Sequence, residues 1–402
     1  MSKQNLQTLK GFRDFLPETT AKRQWVKSKM VQVAERWGFE PIETPTLEPY
    51  SLFQGEIGED EKLFYKFKDL GGRDVMLRYD QTVPTCRFVA ANQNSLAFPF
   101  KRYQCQSVFR AENPQAGRYR EFTQFDIDIF GVAGPTADAE VIAENLDTYL
   151  TIGFKKPVVI FNNRDLMKDI PYEAIVAIDK LKKIGEEGVI NDMVKKGITK
   201  TQAEEYFKYV TNIKPDETVK EIIQYLENSG FDSQYYRFEP TLARSFSYSQ
   251  GPIWEIVIED YVAGSVGGGE RYDGMMERLT GQKIPATGIA FGFDRTVEAA
   301  DQLGLIPTDN KKTTILVTIF SPETLEISLA TAKTLRDSQI NTDLYPEYVK
   351  LDKQLKYADK KGIPFVVIIG PEEAEKNVVK VKDMKSGEQE ELSVADLIKK
   401  LV

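Results

Sequence analysis

Residues 109–131 read FRAENPQAGRYREFTQFDIDIFG, and this stretch decides the fold. Arg110 and Glu112 stand at the end of a run typical of a β-strand, a turn rich in Pro, Gly and Arg follows, and a second, alternating strand returns. The pattern predicts a β-hairpin that carries several arginines. Either these arginines bind a phosphate between guanidinium forks, which match phosphate oxygens bidentately, or they are charges on a solvated hairpin. The hairpin alone leaves both interpretations open.

The composition is that of a globular chain. With 402 residues, of which 41% are hydrophobic and 28% charged, the chain is long enough for two or three domains with buried cores. No segment approaches the roughly 20 apolar residues of a membrane helix, and the start MSKQNLQTLKGFRD lacks the apolar core of a signal peptide. We therefore expect a cytoplasmic protein. Cys86 and Cys105 have no paired metal spacing and are predicted to be core residues.

The sequence contains no histidine. A Ser-His-Asp triad, a zinc ion held by histidine and an imidazole general base are all excluded. No group of residues in the sequence predicts a metal site formed by side chains of the protein alone. The remaining chemistry must use arginines, carboxylates, amides and hydroxyls, which favours catalysis by positioning and charge neutralisation, with transfer at phosphorus as the leading example.

A net charge of -8 argues against attraction of the whole molecule to nucleic acid, although a local basic surface remains possible. One candidate surface is the predicted helix in YVKLDKQLKYADKKG, whose lysines recur every three or four residues and share one side. These lysines are Lys350, Lys353, Lys356 and Lys360. The row could follow a phosphate backbone, or it could be a solvated helix face.

A polar connector at residues 305–312, LIPTDNKK, predicts a boundary between a domain at 1–308 and a domain at 313–402. Before the connector, long alternating runs predict a large antiparallel sheet flanked by helices, which gives the α+β class. A charge-rich helical segment at about 163–230 interrupts this pattern as an apparent insertion. After the connector, strands and helices alternate, which predicts a compact α/β domain with a mainly parallel sheet and a short hairpin around KSGEQEE.

Several motifs in order resemble class II aminoacyl-tRNA synthetases, and specifically histidyl-tRNA synthetases, over essentially the whole chain. They are KGFRDFLPE, TPTLEP, LRYDQTVP, the hairpin at 109–131, LARSFSYSQGPIWE, GGERYDGM and GIAFGFDR, followed by the terminal α/β domain. The resemblance implies a six- or seven-stranded antiparallel sheet that binds ATP, a helical insertion, and a C-terminal anticodon-binding domain. It also implies a homodimer whose partners are ATP with Mg²⁺, an amino acid and tRNA.

The resemblance implies a nucleotide site around the hairpin. Arg110 would hold the α-phosphate of ATP, and Arg118 would hold the β- and γ-phosphates. Glu112 would face the adenine or the amino acid, and Phe122 would stack on the adenine. Arg295 would face the γ-phosphate from the other side.

For the amino acid, the resemblance implies Asp80, Thr82 and Gln124 as acceptors for the substrate ammonium, which needs groups of this kind. Arg244 would bind the substrate carboxylate and stabilise the reacting phosphate, so Arg110 and Arg244 are the implied catalytic residues. Asp128 would accept a hydrogen bond from the imidazole of a histidine substrate.

Tyr248 and Tyr272 are also implied at the substrate, in a region where the chain departs from the family. The family pattern R-G-L-D-Y-Y is replaced by RSFSYS at residues 244–249, and A-G-G-R-Y-D by GGERYD at residues 268–273. The departing residues are Ser247, Ser249 and Glu270, together with Ala111 and Thr123 at two positions where the family carries histidine. The residues implied in activation match the family, so the activation chemistry is predicted to be intact. The departures predict altered recognition of the side chain of the amino-acid substrate.

The sequence therefore predicts an ATP-dependent aminoacyl-tRNA ligase that forms an aminoacyl-adenylate and transfers the aminoacyl group to tRNA, with histidine as the substrate. One alternative is a paralogue that takes another amino acid. The other is a non-catalytic protein that senses histidine or binds tRNA. Whether Glu270 points into the pocket bears on the first alternative, and four arginines kept from the family pattern count against the second.

Overall fold

The computed structural model describes residues 6–114, 117–244, 250–261, 264–307 and 313–401, with residues 58–60 described by their backbone alone. The chain forms two compact units, Met1–Ile306 and Pro307–Val402. Most of the expected connector, residues 308–312, lies outside the described residues. The domain limits at 308 and 313 therefore stay predictions.

The two units contain thirteen α-helices and sixteen strands among the described residues. The helices are α1 Pro17–Arg36, α2 Thr82–Asn92, α3 Pro135–Ile152, α4 Tyr172–Ile178, α5 Leu181–Lys195, α6 Lys200–Thr211, α7 Glu217–Asn228, α8 Asp273–Thr280, α9 Phe293–Gln302, α10 Leu325–Asp337, α11 Leu351–Lys361, α12 Pro371–Glu375 and α13 Val394–Leu401. The strands are β1 Glu40–Pro41, β2 Leu47–Pro49, β3 Lys66–Lys68, β4 Asp74–Leu77, β5 Phe100–Phe109, β6 Glu121–Phe130, β7 Pro157–Asn163, β8 Tyr236–Phe238, β9 Gln250–Ile258, β10 Ser265–Arg271, β11 Ala286–Phe291, β12 Ile315–Val317, β13 Thr342–Leu344, β14 Phe365–Ile368, β15 Val379–Asp383 and β16 Gln389–Leu392. No helix among the described residues is long and apolar enough to cross a membrane.

The first unit is built on an eight-stranded sheet with the order β1-β5-β6-β11-β10-β9-β7-β8. The six central strands are antiparallel, and the predicted hairpin is the pair β5 and β6. The antiparallel sheet is confirmed, but it has more strands than the six or seven expected. The additional strands are the short edge strands β1 and β8, which pair in parallel with β5 and β7. Such short strands give little periodic signal in the sequence.

One face of this sheet packs against α1, α3, α7 and α9. Its inward residues alternate along the strands, as expected for a strand period of two residues. Phe125 and Ile127 on β6 and Phe291 on β11 join Met30 of α1 and Ile222 of α7 in one continuous core. This core fixes the sheet from behind and leaves the other face for the polar residues of the site.

The helices behind the sheet begin and end at residues suited to those positions. Pro17 and Pro135 stand in the first turns of α1 and α3, where a missing N–H costs nothing and the fixed φ suits a helix. Gly153 ends α3 with φ of 111°, a conformation that favours glycine. The side chain of Asp216 caps α7 by accepting a hydrogen bond from the N–H of Val219.

The opposite face of the sheet carries two smaller cores. One joins α4, α5 and α6 to β7 and β9, through residues such as Ile160 and Ile253. The other joins α2, α8 and the three-stranded sheet β2-β4-β3 to Phe100 and Phe130 of the hairpin. The expected insertion at 163–230 thus contributes to both faces, since α7 packs behind the sheet with α3. Its standing as a separate domain stays a prediction.

The second unit contains a five-stranded sheet with the order β13-β12-β14-β15-β16. The α/β character and the hairpin, formed by β15 and β16, agree with the sequence analysis. The sheet is less parallel than expected. β12 pairs in parallel with β13 and β14, whereas β14–β15 and β15–β16 are antiparallel. The turn between β15 and β16 is too short for the crossover that a parallel pair needs.

Candidate active site

A cavity of about 370 Å³ opens on the face of the large sheet opposite α1, α3, α7 and α9. Every site residue expected from the sequence lines it, with one exception. The expected residues that line it are Asp80, Thr82, Arg110, Glu112, Arg118, Phe122, Gln124, Asp128, Arg244, Tyr272 and Arg295. The exception, Tyr248, lies outside the described residues. The structure thus brings together side chains from widely separated segments, while the role of each stays a prediction.

Part of the cavity is lined by residues of a row that is paired across four strands. Arg102 of β5 pairs with Asp128 of β6, Asp128 with Gly288 of β11, and Gly288 with Glu270 of β10. Residues paired in this way point to the same face of a sheet. A Cβ atom on Gly288 would lie 1.8 Å from Oδ1 of Asp128. Only glycine leaves the carboxylate of Asp128 its place in the cavity.

Asp128 is a buried carboxylate with partners on both oxygens. Oδ2 contacts the guanidinium of Arg102, which is fully buried, and Oδ1 accepts a hydrogen bond of 2.5 Å from the hydroxyl of Tyr272. Burial raises the pKa of Asp128, and the charge of Arg102 and the Tyr272 hydrogen bond oppose that rise. Each carboxylate oxygen accepts two hydrogen bonds. Asp128 therefore keeps the capacity to accept an N–H from a ligand in the cavity.

Acceptors for a positive group lie near the start of α2. Asp80 is 7% exposed, and its Oδ1 accepts the N–H of Val83 at 3.2 Å. Burial raises the pKa of Asp80 to about 6; the charge of Arg110 opposes this rise and that of Glu270 adds to it. Oε1 of Gln124 is buried and accepts no hydrogen bond from the described residues. A buried acceptor without a donor carries a cost that a bound ammonium would relieve.

Arg110 is oriented by two aromatic rings. Its guanidinium carbon lies 4.2 Å from the ring centre of Tyr79 and 5.2 Å from that of Phe122. Its Nε also donates to the carbonyl of Tyr79 at 3.2 Å. Stacking and this hydrogen bond limit the orientations of the fork, so it is held for a ligand before binding.

Two further guanidiniums that line the cavity come from two other elements. Arg118, on the hairpin, is 55% exposed and pairs with Glu112 at 3.2 Å. Arg295, on α9, donates from Nη1 to the carbonyl of Ser265 at 2.8 Å. Three guanidiniums, counting Arg110, therefore line the same cavity, and this fits a polyphosphate better than a neutral ligand.

Comparisons with known proteins agree with this geometry. The family model for histidyl-tRNA synthetase matches residues 11–187, and the model for the anticodon binding domain matches residues 302–402. The chain is 34% identical to the histidine–tRNA ligase of Cytophaga hutchinsonii and 34% identical to that of Pyrococcus furiosus, and each comparison covers 98% of both chains. The chain belongs to the histidyl-tRNA synthetase family. A solved histidyl-tRNA synthetase from Nostoc sp. PCC 7120, 28% identical, matches with a TM-score of 0.85 over 99% of both chains.

Glu270 is the main departure from the synthetase family pattern that the described residues include. Its side chain lines the cavity, and Oε1 lies 3.4 Å from Nη2 of Arg244. Both side chains are largely buried, with 9% and 15% exposed. Glu270 therefore points into the pocket, where it forms an ion pair with the arginine expected to bind the substrate carboxylate. Ser247 and Ser249 lie outside the described residues.

Three polar cavity residues that were given no role from the sequence are Thr123, Asp294 and Glu255. Thr123, at a position where the synthetase family carries histidine, accepts a hydrogen bond of 2.9 Å from Arg23. Asp294 stands beside Arg295 in FGFDR, and Glu255 lies on β9. The signal for Asp294 was its position inside a recognised motif. Glu255 showed only as a charged residue within the alternating run PIWEIVIED.

Proposed function

We propose that this protein is a histidine–tRNA ligase. It joins histidine to AMP from ATP, releases pyrophosphate, and passes the histidyl group to tRNA. One observation carries the proposal: a single cavity is lined both by guanidiniums suited to a triphosphate and by acceptors suited to an amino acid. Membership of the histidyl-tRNA synthetase family supports the same reaction.

The activation step needs charge stabilisation rather than proton removal. The histidine carboxylate is already ionised when it attacks the α-phosphorus, and negative charge gathers on the phosphate oxygens as pyrophosphate departs. Arg110 stabilises this charge at the α-phosphate, and Arg118 and Arg295 hold the outer phosphates. Arg244 orients the attacking carboxylate, while Glu270 balances its charge before substrate binds. Donors fixed in advance act without reorganisation, so no histidine side chain is required.

The residues fit a magnesium ion that arrives with the nucleotide. Among the described residues, no group of three or more Cys, Asp or Glu is placed to hold a metal ion. Mg²⁺ commonly uses one or two carboxylates together with phosphate oxygens and water. Glu112 and Glu255 line the cavity and would supply such carboxylates. The ion would neutralise part of the charge on the phosphates.

The second unit would bind the anticodon of tRNA. On α11, Gln354 and Ala358 are buried, whereas Lys353, Lys356 and Lys360 are exposed, so the lysine row faces solvent. Such a row suits a phosphate backbone. A homodimer in the cytoplasm, where tRNA is charged for translation, completes the proposal.

Pyrophosphate exchange with each of the twenty amino acids tests the proposal. Exchange with histidine alone is the expected result. Exchange with a different amino acid would identify a paralogue of altered specificity, an alternative that the position of Glu270 in the cavity favours. If no amino acid supports exchange, the chain is an accessory protein, whose binding to tRNA is expected to weaken steeply with salt.

The pH dependence of exchange tests the role of Asp80. Asp80 accepts the substrate ammonium only as a carboxylate, and its pKa is raised to about 6. We expect kcat/KM for histidine to fall as the pH decreases through about 6, because the protonated form loses the ionic contact. Asp80→Asn should have low activity at all pH values and lack this acid limb. The imidazole of the substrate titrates in both proteins, so a limb retained in Asp80→Asn would assign the ionisation to the substrate.

The lack of histidine in the chain gives an expectation about its synthesis. Translation of this protein consumes no histidyl-tRNA, so its production should continue when histidine is scarce. We expect a variant with histidine at exposed positions Gln93, Gln224 and Gln389 to accumulate several-fold less during histidine starvation. The same three positions changed to Asn are the control, since exposed substitutions alter stability little. Equal accumulation of both variants during starvation would refute the expected advantage.

A further inference from the structure

Residues 11–15, here called the N-terminal strap, lie against the β5–β6 hairpin. The N–H of Arg120 donates to the carbonyl of Gly11 at 2.9 Å. A Cβ on Gly11 would lie 2.8 Å from Cγ of Arg120 and 2.9 Å from Cγ of Pro114, and its φ is +89°. Glycine is thus required for this close approach. The strap is packed on the hairpin whose outer residues Arg118 and Tyr119 line the cavity.

Arg13 links the strap to two walls of the cavity. Its guanidinium carbon lies 3.2 Å from the ring centre of Tyr119 on the hairpin, and Nη2 lies 3.1 Å from Oδ2 of Asp294 on α9. The side chain of Arg13 is 27% exposed and that of Asp294 is 12% exposed. Partly buried ion pairs with good geometry orient their groups more strongly than exposed ones.

Asp294 is the centre of this network. Its carboxylate also contacts the guanidinium of Arg23 from α1, and Oδ2 accepts the N–H of Thr123 from β6 at 3.1 Å. Arg23 lies 4.1 Å above the ring of Phe15 in the strap and donates to Thr123. The strap, α1, β6 and α9 therefore meet at one carboxylate, adjacent in sequence to Arg295.

We propose that Arg13, Arg23 and Asp294 are positioning residues for the nucleotide. They fix the hairpin relative to α9, so that Arg118 and Arg295 present their guanidiniums to the same triphosphate. This inference rests on the proposed function. Because Arg118 is exposed and the two arginines come from separate elements, their separation depends on what joins those elements. A displacement of about 1 Å in such a clamp is enough to lower activity on the order of 10²-fold.

The charges also support a positioning role. A carboxylate near three phosphates repels them unless it is neutralised. Two guanidiniums neutralise Asp294, so it joins the elements without adding net negative charge beside the phosphates. Asp294 therefore acts through Arg295 and the hairpin rather than by binding ATP.

The test measures ATP binding, with Mg²⁺ present, by calorimetry on the full chain. We expect Arg13→Ala and Asp294→Asn each to raise the Kd for ATP on the order of tenfold and to leave the Kd for histidine within about twofold. Lys22→Ala is the matched control. Lys22 pairs with Asp301 at 2.9 Å, so it joins the same two helices, α1 and α9, outside the cavity.

The Asp294→Asn variant distinguishes a positioning role of Asp294 from a purely electrostatic effect on ATP binding. Removing a negative charge should tighten ATP binding if only the electrostatic potential matters, whereas loss of positioning weakens it. Unchanged or tighter ATP binding in both variants overturns the inference. So does an equal loss of histidine affinity, which would indicate a general structural role. Should the wild-type protein bind no ATP, the proposed function fails as well, and this result is distinct from the other two.

Discussion

Replacing Arg110 by alanine is expected to lower kcat for histidine-dependent pyrophosphate exchange by about 10²–10³-fold, the usual effect of removing one fixed donor from a developing negative charge. The structure explains why the loss should be large. Arg110 is held by Tyr79 and Phe122 and by a hydrogen bond to a backbone carbonyl.

Arg110→Lys sharpens this prediction. Lysine keeps the charge but loses the planar fork and its stacking, so we expect it to recover only part of the lost kcat. Arg73→Ala is the control, since the side chain of Arg73 is 80% exposed and pairs with Asp69, four residues earlier in the chain. Thermal unfolding of each variant reports its folding. Nearly full kcat in Arg110→Ala would show that Arg110 does not contact the reacting phosphate.

Replacing Asp128 by asparagine is expected to raise KM for histidine on the order of 10²-fold, because a buried charged acceptor is lost. The same change leaves the guanidinium of Arg102 buried without its counter-ion, which destabilises a fold by about 3–5 kcal/mol. A lower melting temperature should therefore accompany the higher KM. KM for ATP should change little. Asp128 lies in the cross-strand row with Gly288 and Glu270 and is not among the arginines proposed to hold the phosphates.

Tyr272→Phe tests the same role if Asp128→Asn does not fold. It removes the hydroxyl that donates to Asp128 and keeps both the ring and the Arg102 ion pair. Loss of one hydrogen bond to a charged group destabilises a fold by about 1.5–3 kcal/mol. It also removes a donor that orients Asp128, so we expect KM for histidine to rise. A normal KM together with a lower melting temperature would make Asp128 a purely structural residue.

Much of the site was accessible from the sequence because its residues stand within recognisable local patterns. Arg110, Arg118 and Phe122 lie on one hairpin whose turn and alternation are visible in a single stretch. Their meeting with Arg244 and Arg295 required the resemblance to a family, since spacing within one segment carries no information on contacts between distant segments. All five residues line the same cavity, and their roles stay predictions.

Other features could not be predicted because they depend on strand pairing. Arg102 looked like one charged residue in the alternating run KRYQCQSVFRAE, yet it is fully buried beneath Asp128. The contact of Glu270 with Arg244 follows from the place of β10 within the sheet, which no local period specifies. The ion pairs of Arg13 and Arg23 with Asp294 join residues that are more than 270 positions apart in the chain. Only the tertiary structure brings such partners into contact.

The cross-strand row of Asp128, Gly288 and Glu270 limits how this pocket can change during evolution. Inserting or deleting one residue in β11 would turn Gly288 towards the core behind the sheet and bring a side chain to the floor of the cavity. Substitutions at single positions of the row can therefore change the substrate that the pocket accepts. Insertions or deletions of one residue in these strands should be eliminated by selection.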